Sequence, residues 1–221
     1  MGTNERKEKE KEIRRRDIID AAERVFFTKG YDLATMDDVA KEAEFSKRTI
    51  YVYFNSKEQI YFEIMIRGYK LLIEMLKDAL HTEQAGNAIE KMKQMVATLY
   101  RFNGDYPEYF TAIMEYENGE LDFQNGVPDE AREECYALGE EIFEHLTRTL
   151  QIGIAEGTFR SDLNVVKTAL VLWSCIVGVF STAKKKEKYI RNFHRVTSEE
   201  LVSAAFQLII RSIQSENGGN L

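Results

Sequence analysis

Apolar residues recur at helical spacing through most of the chain, and the pattern breaks where turn and cap residues stand. Ile18, Ala22, Val25 and Phe26 share one face of a predicted helix over Arg14–Lys29, and Gly30 follows where a left-handed stop is needed. Met36, Val39, Ala40 and Ala43 fall at i, i+3, i+4 and i+7 behind Thr35, whose hydroxyl can cap that helix with Asp38 three residues on. Glu44-Phe45-Ser46 breaks the pattern, and Ser46 is a favourable N-cap for the next segment, Lys47–Phe54. Two short helices joined by a tight turn form a helix-turn-helix.

Ser56 with Gln59 makes a second capping pair and opens a long helix to about His81. After Gly86 the periodicity predicts a helix from Asn87 to Phe102, a turn at Asn103-Gly104-Asp105, and a helix begun by Pro107 and ending near Tyr116. An acidic, glycine-containing loop covers 117–127. Pro128 opens a helix through about Glu156, stopped by Gly157. Asn164–Lys185 is apolar on more than one face, and Thr197 with Glu200 caps a last helix ending near Ser215. About nine helices, with no strand and no internal repeat, predict an all-α fold. The expected division is an arm and helix-turn-helix head over residues 1–56 and a helical body over 57–221.

Laid out at about 100° per residue, the second helix of the pair turns Ile50 and Phe54 inward. Arg48 and Val52 come out on the opposite side, with Thr49 and Tyr51 flanking them, and Lys47 reaches outward from the first turn. A row of Arg, Val, Tyr and Thr suits a major groove, where Arg can bond a guanine edge and Val can touch a thymine methyl. Tyr53 and Lys57 lie at the flanks, where phosphate contacts belong. The plainer alternative is an amphipathic helix with a solvated basic face.

Charge first weighs against nucleic acid, since the chain carries −7 overall. Divided, residues 1–60 hold 13 Lys and Arg against 13 Asp and Glu, and the whole excess of acid falls in 61–221. Arg6, Lys7, Lys9, Lys11, Arg14, Arg15 and Arg16 crowd the start, so a neutral head with clustered cations sits beside an acidic body. The first dozen residues are either a frayed arm or a helix extension. Arg14, Arg15 or Arg16 serves phosphate contact, or the stretch is only a solubilising tail.

The body has room for dimerisation and sensing. Val165–Phe180 and the final helix (Leu201, Val202, Ala205, Phe206, Leu208, Ile209, Ile213) would pair into a four-helix dimer bundle, or else serve as core within one chain. Aromatic and Met residues gather between the head and these helices. Phe62, Tyr69, Leu99, Phe102, Phe110, Met114, Phe143 and Trp173 are the candidate lining of an apolar pocket, although each alone is as compatible with plain core.

Catalytic and metal chemistry find no support. His81, His145 and His194 are dispersed without a partner at ligand spacing, and the glutamates from Glu130 to Glu144 lack the histidines of a carboxylate metal site. No phosphate loop, nucleophile elbow or triad is present, so neither an enzyme nor a cofactor is expected. Lys184–Lys188 at a helix end suits the helix dipole. Cys135 and Cys175 are expected as free, buried thiols. No apolar run of membrane-spanning length and no secretory signal is apparent, so a cytoplasmic protein is expected.

The segment IIDAAERVFFTKGYDLATMDDVAKEAEFSKRTIYVYFNSKEQIY, Ile18 to Tyr61, resembles the DNA-binding domain of the tetracycline-repressor (TetR) family. The match rests on Phe26 to Gly30-Tyr31, Thr35, Ser46-Lys47, Thr49-Ile50-Tyr51-x-Tyr53-Phe54 and Ser56-Lys57, about a fifth of the chain. The resemblance implies phosphate contacts at Thr35, Thr49, Tyr53 and Lys57, and base-facing roles for Lys47, Arg48, Tyr51 and Val52 beside the Ser46 cap. It also implies a homodimer on a palindromic double-stranded operator, released by a small apolar or amphipathic effector. One departure is Glu44, where the family's turn usually has glycine. Two rivals stand beside this reading: a DNA-binding protein governed by a protein partner through its acidic body, and a helical enzyme or lipid carrier.

Overall fold

The computed structural model describes residues 3–80, 86–117 and 130–215, and among these it contains helices and no strand. The all-α expectation holds. The helices are α1 (Thr3–Lys29), α2 (Met36–Glu42), α3 (Lys47–Tyr53), α4 (Lys57–Leu80), α5 (Ala88–Asp105), α6 (Pro107–Glu117), α7 (Glu130–Ala155), α8 (Val165–Lys185), α9 (Glu187–Tyr189) and α10 (Ser198–Ile213). A π-helical turn, Ile190–His194, follows α9 and ends at Arg195 with φ 59°.

The described residues within 1–70 and 108–138 form one compact unit, and those within 71–107 and 139–221 another. In the first, Ile18, Ala22, Val39, Ile50, Phe54, Ile60 and Ile64 form a buried core drawn from α1 to α4. A polar cluster adds α6 to it. Arg67 donates to Asp20 at 2.6 Å and to Glu23 at 3.0 Å, and the Tyr109 hydroxyl donates to the same Glu23 oxygen at 2.8 Å. Gly68 leaves room for Tyr109, whose ring would stand 3.0 Å from any Cβ placed there. Burial, then the bond to Glu23, pushes the Tyr109 hydroxyl well above the usual tyrosine range.

The second unit packs Ala88, Met92, Leu150, Phe159, Ala169, Leu172, Ile210 and Ile213 into one core. Gly157 ends α7 with φ 74°, and the chain then folds Phe159 beneath Gly153, where a Cβ would collide with its ring. Asn164 caps α8 through Lys167 N–H at 3.0 Å, and Thr197 with Glu200 forms the reciprocal box that starts α10.

Several sequence-based boundaries are corrected. The basic arm is the start of α1 and continues as helix from Thr3, as one of the two alternatives had it. The expected turn Asn103-Gly104-Asp105 is the end of α5, since the next backbone amide, of Tyr106, still reaches the Phe102 carbonyl at 2.9 Å. The helical residues 187–194 add to the expected map; Tyr189 and Phe193, four residues apart, set their ring centres 5.2 Å from each other. Pro128 and the loop after residue 117 lie outside the described residues. Neither thiol is in a disulfide among the described residues, but only Cys135 is buried, donating to the Phe62 carbonyl at 3.5 Å; Cys175 is exposed on α8. Helix α8 is also, by length and composition, apolar enough to cross a membrane, against the expectation of no such segment. In this fold Ala169, Leu172, Ile176, Val177, Phe180 and Ala183 of α8 are buried, and the helix packs along α10.

Candidate nucleic-acid interface and apolar cavity

The head is assembled by local hydrogen bonds that the sequence encodes one by one. Gly30 closes α1 with φ 81°. Thr35 accepts from Asp38 N–H at 3.2 Å, and Asp38 accepts from Thr35 N–H at 3.0 Å, which fixes the start of α2. Lys29 adds a 2.5 Å bond to Asp38. These bonds, the one from Lys29 first, hold the Asp38 carboxyl down to about 2.

The turn between α2 and α3 is closed by Ala43 N–H to Val39 O at 2.9 Å and Phe45 N–H to Ala40 O at 3.0 Å. Glu44 adopts φ 56° there, the left-handed conformation that glycine takes without strain. Ser46 then caps α3, its hydroxyl accepting from Thr49 N–H at 3.1 Å.

Ile50 and Phe54 anchor α3 in the core at 0% and 3% exposure. On the other side Val52 is 71% exposed and Tyr51 46%, with Lys47 and Arg48 exposed beside them. Lys47 pairs with Asp37 at 2.9 Å, whereas Arg48 has no hydrogen-bond or ion-pair partner among the described residues. Arg48, Tyr51 and Val52 thus form an open face with one uncommitted guanidinium.

The flanking residues are more occupied. The hydroxyls of Thr49 and Ser46 bond each other at 2.8 Å, and Thr35 Oγ1 donates to Asp38 at 2.8 Å. Tyr53 is half-buried against the head core. Lys57 is half-buried too, its ammonium donating to the carbonyls of Tyr31 at 2.7 Å and Ala34 at 3.1 Å. One Lys57 donor stays available. Arg15, counted at sequence level among possible phosphate contacts, is instead ion-paired to Glu63, with its guanidinium 5.1 Å from the centre of the Phe54 ring.

The second unit contains a small apolar cavity of about 70 Å³, open on one side to solvent. It is lined by Leu72, Leu76, Met92, Met95, Val96, Leu99, Ile142, Leu146, Leu172, Trp173, Ile176, Phe206, Ile209 and Ile210. Of the eight candidates named from sequence, Leu99 and Trp173 line it. Phe102 is buried elsewhere in the same unit, and Phe143 packs on that unit's core. Phe62, Tyr69, Phe110 and Met114 belong to the other unit. Met92, Met95 and Val96 share a face of α5 with Leu99, falling with it at i, i+3, i+4 and i+7. No cluster of His, Cys, Asp and Glu suited to a metal ion occurs among the described residues.

Residues 18–64 match the family described as bacterial regulatory proteins, tetR family. Across 150 residues the chain is 28% identical to an HTH-type transcriptional regulator, YfiR, of Bacillus subtilis, covering 68% of this chain and 70% of that one. It is 26% identical over 164 residues to the HTH-type transcriptional repressor NicS of Pseudomonas putida, covering 72% of each. Among solved structures it resembles AibR in complex with isovaleryl coenzyme A and operator DNA, with TM-score 0.64, 17% identity and coverage of 88% and 97%. That last likeness speaks to the fold. Residues 18–64 thus carry the DNA-binding motif of the bacterial tetR-family regulators, and the chain is similar over about 70% of its length to transcriptional regulators.

Proposed function

We propose that this regulator is a repressor that binds a palindromic operator as a homodimer and releases it when an apolar molecule enters the body. The observation that carries the reading is the open face of α3, with Val52 and Arg48 exposed while Ile50 and Phe54 are buried beneath them. In this proposal Arg48, Val52, Tyr51 and Lys47 meet base edges. Thr35, Ser46, Thr49, Tyr53 and the spare donor of Lys57 meet phosphates. Residues 1–56 are assigned to DNA, and 57–221 to sensing and dimerisation.

A dimer is supported by surface that one copy leaves uncovered. Val166, Leu170 and Val171 of α8 and Leu208 of α10 are all more than half exposed, on two helices that pack side by side. An apolar patch on neighbouring helices is characteristic of an interface. Two heads reading half-sites about one DNA turn apart require such a partner. This pairing also gives the apolar α8 an occupant other than lipid, consistent with a cytoplasmic protein.

Effector sensing is supported by the cavity at Leu99 and Trp173, and by a solved relative whose complex holds both a coenzyme A thioester and operator DNA. Helix α4 runs unbroken from Lys57 beside the head to Leu72 and Leu76 at the cavity wall, so it is the natural lever. Only different affinities of the effector for DNA-competent and released states can drive the change.

The test is fluorescence anisotropy of the full chain on duplexes carrying inverted repeats from the DNA flanking its gene, against scrambled duplexes of equal length. The reading expects selective, salt-sensitive binding that an apolar molecule reverses. Equal affinity for both duplexes would overturn it.

A further inference from the structure

We infer that the cavity of the second unit selects uncharged apolar molecules and rejects carboxylates and quaternary ammonium ions of the same size. The inference rests on the proposed sensing role and narrows it from an apolar or amphipathic effector to a neutral one.

The lining is the first ground. Every side chain that forms the cavity is aliphatic, thioether or aromatic, and among the described residues no Asp, Glu, Lys, Arg or His faces it. A charged head drawn inside would lose its water and gain no counter-charge, which is the most unfavourable transfer available to a ligand. Sites that accept ions supply a convergent polar group; this one offers methyl, methylene and ring surface.

The charges next to the lining in sequence are the second ground. Lys77 follows Leu76, and Glu141 precedes Ile142, but these two are paired with each other at 2.8 Å. Neither of the two lines the cavity. His145 precedes Leu146, and burial lowers its pKa, which disfavours its charged form. Thr149, beside Leu150 of the core, spends its hydroxyl on the His145 carbonyl at 2.8 Å. Met92 and Met95 let the lining adapt to differently shaped hydrocarbons without adding polarity.

Trp173 is the only tryptophan of the chain and lines the cavity, so its emission reports occupancy directly. Octan-1-ol, octanoate and octyltrimethylammonium, one tail with neutral, anionic and cationic heads, are titrated into the full chain at neutral pH, with calorimetry as an independent measure of binding. Octan-1-ol is expected to shift the Trp173 emission and to bind at least about tenfold more tightly than either ion. Val96→Phe, which fills the space without adding charge, should weaken octan-1-ol by about fivefold or more while the thermal midpoint is kept. Equal or tighter binding of either ion overturns the inference, as does failure of octan-1-ol to bind. The comparison within the wild-type chain stands even where the variant folds poorly. Operator release is measured separately. If octan-1-ol binds as expected yet never displaces DNA, the sensing role falls and the selectivity stands. If an ion binds more tightly and displaces DNA, the selectivity falls and the sensing role stands.

Discussion

The ammonium of Lys57 lies 4.2 Å from the centre of the Tyr31 ring and donates to the Tyr31 carbonyl at 2.7 Å, tying the start of α4 to the loop that leads into α2. A residue at the edge of the DNA-reading surface is therefore also a structural strut. Lys57→Ala removes two charged hydrogen bonds and a cation–π contact, and should cost about 1–3 kcal/mol of stability in urea unfolding. It should also weaken binding to every duplex alike. If the spare donor reaches a phosphate, the salt slope of binding falls by about one. A changed stability with an unchanged slope would leave Lys57 a strut alone.

Glu44 sits in the turn before α3 with φ 56°. Replacement by glycine relieves the left-handed strain, offset in part by the greater freedom of glycine when unfolded, so Glu44→Gly should stabilise the chain by up to about 1 kcal/mol. It also removes an acidic group from the turn, and DNA affinity should rise slightly at low salt. A drop in the urea midpoint would contradict this account of the turn.

Two head groups predict opposite limbs of a stability–pH profile. The Asp38 carboxyl is held down to about 2 by Lys29 and then Thr35, so its contribution is full above its ordinary range near 3.8 and is lost as pH falls toward 2. Burial, then Glu58 and Asp32, pushes the Tyr31 hydroxyl up to about 12, so the folded state favours its neutral form. That contribution is full below about 10 and is lost as pH rises from 10 through 12. Urea midpoints across pH should show Asp38→Asn flattening the acid limb and Tyr31→Phe the alkaline one.

The dimer proposal can be tested at residues that no single-chain core requires. Leu170 is 52% exposed and Leu208 69%. Leu170→Glu with Leu208→Glu should keep the helical signal while sedimentation shows monomer and the thermal midpoint loses its dependence on chain concentration, because an interface cannot readily bury the new charges that one copy alone exposes. Operator binding should fall with it. A monomeric wild-type chain would contradict the proposal.

Legibility in the sequence followed the range of the interactions. Gly30, the Thr35–Asp38 box, the Ser46 cap and the inward Ile50 and Phe54 are fixed by neighbours within a few residues, so the head could be read almost side chain by side chain. The cap at Thr197 was legible for the same reason. The cavity was not. Leu99 and Trp173 line it while Phe62 and Phe110 belong to the other unit, because composition shows that apolar residues are plentiful but not which helices converge. Lys57 and Arg15 were legible as cations, but their bonds to the Tyr31 and Ala34 carbonyls and to Glu63 are tertiary. Asn103-Gly104-Asp105 has turn composition, yet it stays within α5, the next amide still reaching back to the Phe102 carbonyl.

The most direct test of the central claim is selection of duplexes from a random pool by the full chain, repeated with Arg48→Ala and Val52→Ala. The account predicts that the wild type enriches an inverted repeat with half-site centres about 34–36 Å apart. It further predicts that Arg48→Ala loses preference at one position per half-site, costing about 1–3 kcal/mol on the selected sequence and little on random DNA. No enriched repeat, or the same repeat enriched equally by all three proteins, would contradict it.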